Sequence, residues 1–356
     1  MSNQKDHKDG FIPNFLLEQL AEKGSEGAKK TLIQTKEIDK KVEEIKKNNT
    51  EINFSSASIQ GRSEREIYDS ENTGEFKHKL VRKEGAPPVA DEVVNINYDF
   101  IGSTLKYFKQ KFNRNSLDDN GMNVISNVHY NEDYNNAFWN RELGQFAFGD
   151  GNGRLFINFS RSIDVVAHEM AHAVTDFVIV NGLNYQRQSG ALHEHFSDVI
   201  GTAVQQFVKG QTAGTADWLI GDEIVGPEFP GKALRSMKDP GTAYDGDRQV
   251  SHMNDYRDLP LSDDNGGVHY FSGIPNKAFF LVAMEIGTDQ AAFLWYNAWQ
   301  EQEIIHSDAT FDDAFKAILK AAELLVQQGK LPQKTVRSVK DAFSEVGIYS
   351  PVLVTP

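Results

Sequence analysis

Ser162-Ile163-Asp164-Val165-Val166-Ala167-His168-Glu169-Met170-Ala171-His172-Ala173-Val174-Thr175-Asp176 reads as one helix. Val165, Val166, Met170, Ala173, Val174 and Phe177 recur at three- and four-residue intervals, and Asp164 suits the positive end of the helix dipole. His168 and His172 then share one face, so their imidazoles can converge on a single cation with Glu169 beside them. That is the H-E-x-x-H spacing of zinc-dependent hydrolysis. Read alone, the same three residues could be hydrogen-bonded core groups.

A hydrolytic zinc site needs three protein ligands and one position left for water. The stretch Ser189–Thr202 reads as a second helix, capped by Ser189. Glu194 and Asp198 are four apart and face the same way. Glu194 can complete the metal shell, and Asp198 can take the ring N–H of a ligand histidine and fix its tautomer.

His168-Glu169-x-x-His172 followed by Gly190-Ala191-Leu192-x-Glu194-x-x-Ser197-Asp198 resembles the thermolysin family of neutral metalloendopeptidases. The resemblance runs from about Tyr68 to the C-terminus and is closest to protealysin-like members, which have a short propeptide. It implies an α+β fold in which a strand-rich N-terminal domain ends in the zinc helix and an all-α domain follows, with the active-site cleft between them. His193 stands where the family usually has asparagine, and the loop Phe177–Tyr185 is longer than usual.

The resemblance also assigns site residues. Asn136, Ala137 and Trp139 line the cleft, Arg235 contacts the substrate carbonyl, and Leu234, Phe156 and Val165 help form an apolar pocket. Asp217-Trp218-Leu219-Ile220-Gly221-Asp222-Glu223 resembles the family's calcium-binding stretch, so Asp217, Asp222 and Glu223 join Asp164 as candidate oxygen ligands. Gln205 and Leu219 stand where acids usually complete a double site, which implies one calcium ion or none.

The 356 residues suffice for two packed domains, and 39% hydrophobic with 25% charged residues is ordinary for a globular protein. A formal net charge of −14 argues against nucleic acid as a partner. The absence of cysteine excludes disulfides and thiol catalysis. No membrane span and no secretory signal are recognisable, so the chain is expected to stay in the cytoplasm of a bacterial-type cell or to be secreted by another route.

Residues 1–60 are expected to be a helical propeptide and linker, 61–178 the β-rich catalytic domain with the zinc helix, and 179–356 the α-helical domain. Pro13 opens an apolar turn through Phe15, Leu16, Leu17 and Leu20, and a second amphipathic helix carries Ala28, Leu32, Ile38, Val42 and Ile45 on one side. A plain helical hairpin or coiled coil would show the same pattern. The resemblance implies that the propeptide is an intramolecular inhibitor, although the Pro-Pro-Leu element expected to reach the zinc is absent. Further on, Phe76–Val81, Val124–Tyr130, Asn136–Trp139 and Leu155–Phe159 read as strands and Tyr98–Phe112 as a helix. Four helices are expected near the end, at Asn276–Ile286, Asp289–Ile305, Phe311–Gln328 and Gln333–Glu345.

The reading that follows is a monomeric zinc endopeptidase cutting before bulky apolar residues. Glu169 is the general base, Tyr185 and His269 are oxyanion donors, and Asp264 holds the His269 imidazole. Bonds before Phe54 or Ile59 are plausible self-processing points. A zinc aminopeptidase or a catalytically silent relative are the rival readings; the first lacks an acidic amine-binding motif, and the second sits poorly with intact Glu169 and His269.

Overall fold

The computed structural model describes residues 10–48 and 61–349, so Phe54 and Ile59 lie outside the described residues. Helices α1 (Asn14–Glu22) and α2 (Glu26–Asn48) come first. Pro13, at φ −61° and ψ 143°, holds the extended backbone from which α1 starts, and Leu16, Leu17 and Leu20 form its buried side. On α2, Ile38 and Val42 pack among Tyr130, Tyr134 and Ala147, with Phe76, Phe138 and Leu143 alongside. The apolar stripe of α2 is therefore spent on the sheet that follows, not on a coiled coil.

Strands β1 (Arg65–Asp69), β2 (Lys79–Lys83), β3 (Val124–Val128), β4 (Ala137–Asn140) and β5 (Gln145–Phe148) form one mixed sheet in the order β2-β1-β3-β5-β4. The β1–β3 and β3–β5 pairs are parallel, while β2 and β4 are antiparallel to their neighbours and lie at the edges. The parallel connection from β1 to β3 carries α3 (Glu92–Tyr107). The predicted Tyr98–Phe112 helix begins earlier, because the Asp91 side chain accepts the amides of Val93 and Val94, and its last turn, Phe108–Phe112, widens to π geometry. Leu155–Phe159 is not a strand: Phe156 makes one isolated bridge to Val225, and Phe159–Arg161 is a 3₁₀ turn capped by Asn158.

Two long helices follow, α4 (Ile163–Val178) and α5 (Arg187–Lys209). Ser189 does not cap α5; it lies inside the first turn, its hydroxyl donating to the carbonyls of Asn184 and Gln186 at 2.8 and 2.9 Å. The short strands β6 (Leu219–Ile220) and β7 (Arg235–Ser236) pair antiparallel. Next come α6 (Asp264–Phe271), α7 (Gly273–Ile286), α8 (Thr288–Trp299), α9 (Phe311–Gln327) and α10 (Thr335–Glu345). Helix α8 stops at Trp299 rather than Ile305 because the Gln300 and Glu301 amides close tight turns onto Asn297 and Ala298. A capping box of Thr310 and Asp313 opens α9.

The chain divides into two compact units. One runs through Val174 and takes in Gly221–Leu234; it holds the five-stranded sheet, α1 to α3 and most of α4. The other comprises Thr175–Ile220 and the chain from Arg235 onward and is helical, with Trp295 and Trp299 fully buried and Phe196 stacked on Trp299 at 4.6 Å. Among the described residues no helix is long and apolar enough to cross a membrane.

Candidate active site

In the sheet unit the site is built on α4. One helical turn puts the rings of His168 and His172 4.6 Å apart, with their Nε2 atoms 3.0 Å from each other. Both are buried, as is Glu169, and the ligand-type atoms of the three lie within 4.8 Å of one another. Glu169 Oε2 accepts the backbone N–H of Trp139 at 2.8 Å, which ties the carboxylate to edge strand β4. Asn136 and Ala137 lie at the start of the same edge, and the chain's own Gly10, Phe11 and Ile12 run beside them. Phe156, Val165 and Leu234 are buried in this unit, Phe156 against Phe159 and Phe229.

The same unit gathers part of the carboxylate set. Asp164 is fully buried at the start of α4, accepting the amides of Gly221 at 2.7 Å and Val165 at 2.8 Å. The Ser162 hydroxyl reaches both Asp164 and, at 3.2 Å, Glu223. Burial first, and then the nearby Glu223 charge, raise the Asp164 pKa above the ordinary carboxylate range. Asp222 and Glu223 open a 3₁₀ turn next to Gly221. Asp217 belongs to the helical unit and accepts the Leu219 amide at 3.1 Å.

Within the helical unit, Tyr185, two residues before α5, comes together with Glu194 of α5 and with Asp264 and His269 of α6. The Tyr185 hydroxyl donates to Glu194 Oε1, and His269 Nε2 lies 3.4 Å from that hydroxyl and 3.5 Å from Glu194 Oε2. Asp264 faces the other nitrogen, Nδ1, at 2.7 Å. This clasp depends on a left-handed first turn in α6, at Asn265 (φ 51°), Gly266 (φ 83°) and Gly267 (φ 88°), which accounts for the two glycines. His193, the departure noted in the sequence, lies 3.4 Å from Asp176 and meets the Tyr185 ring edge-on at 6.0 Å.

Asp198 accepts from Arg235 at both ends, Nε at 3.0 Å and Nη2 at 2.9 Å, and from Asn276 Nδ2 at 2.9 Å. Arg235 is buried, so its ion pair is an interior one. Behind it lies a network that sequence reading missed. Asn276 Oδ1 is 2.7 Å from His195 Nδ1, and the Trp295 indole N–H donates to His195 Nε2 at 2.7 Å. Because an indole only donates, Nε2 is the acceptor and Nδ1 carries the proton. Burial pushes His195 down to about 4, so this imidazole stays neutral. Nothing in the spacing of His195, Asn276 and Trp295 announces the contact, since they come from three helices.

The comparisons with known proteins agree with this chemistry. Residues 23–176 match the model of the thermolysin metallopeptidase catalytic domain, and residues 181–348 that of the thermolysin metallopeptidase alpha-helical domain. The chain is 37% identical to Protease PrtS of Photorhabdus sp. (strain Az29), over 98% of this chain and 94% of that one. It is 46% identical to an extracellular metalloprotease of Pectobacterium carotovorum subsp. carotovorum, over 67% of this chain and 69% of the relative. Among solved structures, the precursor of protealysin, a metalloproteinase from Serratia proteamaculans, aligns with a TM-score of 0.83 and 38% identity, covering 96% of this chain and all of that one. The paired imidazoles of α4, the two matched domains and these relatives lead to one assignment: the chain belongs to the thermolysin family of zinc metalloendopeptidases.

Proposed function

We propose that His168, His172 and Glu194 hold one zinc ion in this chain and that Glu169 is the base of peptide-bond hydrolysis. The observation that carries this is the approach of the two buried Nε2 atoms to 3.0 Å beside a carboxylate fixed by the Trp139 amide. Two imidazole lone pairs at that distance repel unless a proton or cation lies between them, and this donor set suits zinc. Zinc bound there makes its water acidic and polarises the substrate carbonyl.

Glu169 then takes the proton from the attacking water and delivers it to the leaving nitrogen. Tyr185 and the doubly protonated ring of His269 donate to the oxyanion, Asp264 accepting the Nδ1–H and its charge favouring the imidazolium whose Nε2–H is the donor. Asp198 orients a ligand imidazole, and Arg235 binds the substrate carbonyl. The extended peptide pairs with Asn136, Ala137 and Trp139 on the β4 edge. Phe156, Val165 and Leu234 line the pocket for a bulky apolar residue after the cut.

Residues 1–60 act as a removable inhibitory prosegment, 61–178 as the catalytic domain and 179–356 as the helical domain. Asp164, Asp222 and Glu223, with Asp217, form a weak site for one calcium ion. The enzyme acts as a monomer outside the cell, without a nucleic-acid partner, which accords with its acidic charge and its extracellular relative.

The test uses a quenched peptide blocked at both ends, given to the matured protein and to Glu169→Gln. Wild type should cleave it with one zinc per chain, and the variant should keep its zinc and lose roughly 10²–10⁴-fold in rate. Cleavage of unblocked peptides only, or full activity in the variant, would refute the assignment.

A further inference from the structure

Gly10-Phe11-Ile12 runs extended along the edge of β4. The Phe11 amide donates to the Ala137 carbonyl at 2.9 Å. The Ile12 amide donates to Asn136 Oδ1 at 2.8 Å, and the Ile12 carbonyl accepts from Asn136 Nδ2 at 3.0 Å. One asparagine amide thus holds both polar groups of Ile12 and fixes the direction of the strand. Pairing stops at Pro13, which has no N–H and leads into α1.

The side chains are held as closely as the backbone. Phe11 and Ile12 are 1% and 0% exposed. The Phe11 ring meets His168 edge-on at 5.0 Å. It also shares the space above Gly221 with Leu234: a Cβ built on Gly221 would fall 3.1 Å from Phe11 Cε1 and 2.8 Å from Leu234 Cδ1. A Cβ built on Gly10 would fall 2.4 Å from the Ala137 carbonyl and 2.7 Å from Asn136 Oδ1, so a larger residue at position 10 forces the strand off the edge.

We propose that the chain presents its own Gly10–Phe11 peptide bond as a substrate, and that this bond is the first self-processing site. The inference rests on the reading of Asn136, Ala137 and Leu234 as substrate-binding residues. An enzyme that cuts before bulky apolar residues receives here a phenylalanine against the metal-binding helix, its amide and the next residue already paired to the substrate edge. The bond on its N-terminal side is Gly10–Phe11. In the cut, the water oxygen bonds to the Gly10 carbonyl carbon and the C–N bond to Phe11 breaks. Glu169 carries the water's proton to the Phe11 nitrogen, leaving a carboxylate at Gly10 and an amine at Phe11.

Such a cut does not free the enzyme. Helix α2 stays attached through Thr31, whose hydroxyl accepts the Asn135 amide at 3.2 Å, and through Lys30, 2.8 Å from Glu132 and 3.0 Å from Asp133. Phe11 therefore remains in place as a bound product, and release waits for a second cut beyond α2.

The experiment is a time course on the purified full-length chain with zinc, read by intact mass and N-terminal sequencing, with Glu169→Gln and Phe11→Asp alongside. Wild type should acquire an N-terminus at Phe11 before any downstream terminus, and Glu169→Gln should remain whole. Phe11→Asp should make that cut roughly 100-fold more slowly. The same preparations are assayed on the blocked quenched peptide. If the peptide is cleaved but no Phe11 terminus forms, or the terminus forms as fast in Phe11→Asp, this inference falls alone; if wild type cuts neither, the proposed function falls with it.

Discussion

Asp264 grips His269 twice: its Oδ1 lies 2.7 Å from the ring Nδ1, and its Oδ2 accepts the backbone amide of the same residue at 2.7 Å. Ring and backbone are therefore fixed by one carboxylate, with Nε2 turned toward Tyr185 and Glu194. Asp264→Ala should lower kcat about 10–100-fold with little change in KM, whereas His269→Ala should cost roughly 10²–10³-fold. Steady-state kinetics on folded variants decide; an unaltered kcat in Asp264→Ala removes the positioning role of Asp264, and one in His269→Ala removes His269 from the chemistry.

His129 bridges two carboxylates, Asp150 at 2.7 Å and Asp91 at 3.0 Å, and the hydrogen bond to Asp150 leads in raising its pKa to about 9 from 6.5. A raised folded-state pKa contributes stability that is complete below about 6.5 and is lost as pH climbs through about 9. Thermal unfolding midpoints should fall across that window, and His129→Ala should flatten the fall. The same slope in the variant would place the alkaline loss elsewhere.

The Trp295, His195, Asn276 and Asp198 chain should respond in the opposite direction. His195 titrates near 4 in the folded chain against an ordinary 6.5, so the unfolded chain takes up the proton first as pH drops. Stability should therefore decline from about pH 6.5 toward 4. Trp295→Phe, which removes the indole donor, should cost about 1–3 kcal/mol by denaturant unfolding. A neutral result would mean that water replaces the indole.

Calcium should protect the fold through Asp164. Its burial opposes ionisation, and a divalent cation beside it and Glu223 would reverse that cost. Adding calcium should raise the melting temperature, a calcium-selective chelator should lower it, and Asp164→Asn should abolish both responses. A melting temperature indifferent to calcium in wild type would rule the site out.

The placement of residues on α4 and α5 was legible because helical spacing alone sets His168 beside His172 and Glu194 in line with Asp198. The β4 edge was legible for a similar reason, its alternation surviving at Ala137 and Trp139. Strand β5 was not: Gln145-Phe146-Ala147-Phe148 is short and buried on both faces, so no alternation betrays it. The start of α3 was missed because Asp91 acts as a cap before any periodicity begins. Phe11 was missed because a three-residue extended segment has no period; its only signal is an apolar pair bounded by Gly10 and Pro13. The Asn276–His195–Trp295 contact is tertiary and leaves no local trace.

Among the described residues, strand β4 has a sheet partner on one side only, β5. A naked strand rim invites pairing with any other chain, and aggregation is the usual result. On the proposed function this rim receives peptides, and then it cannot be buried permanently under the enzyme's own sheet. Gly10, Phe11 and Ile12, carried on the same polypeptide, cover this border at high local concentration. Synthesis without those residues should therefore yield insoluble protein more often than unregulated protease.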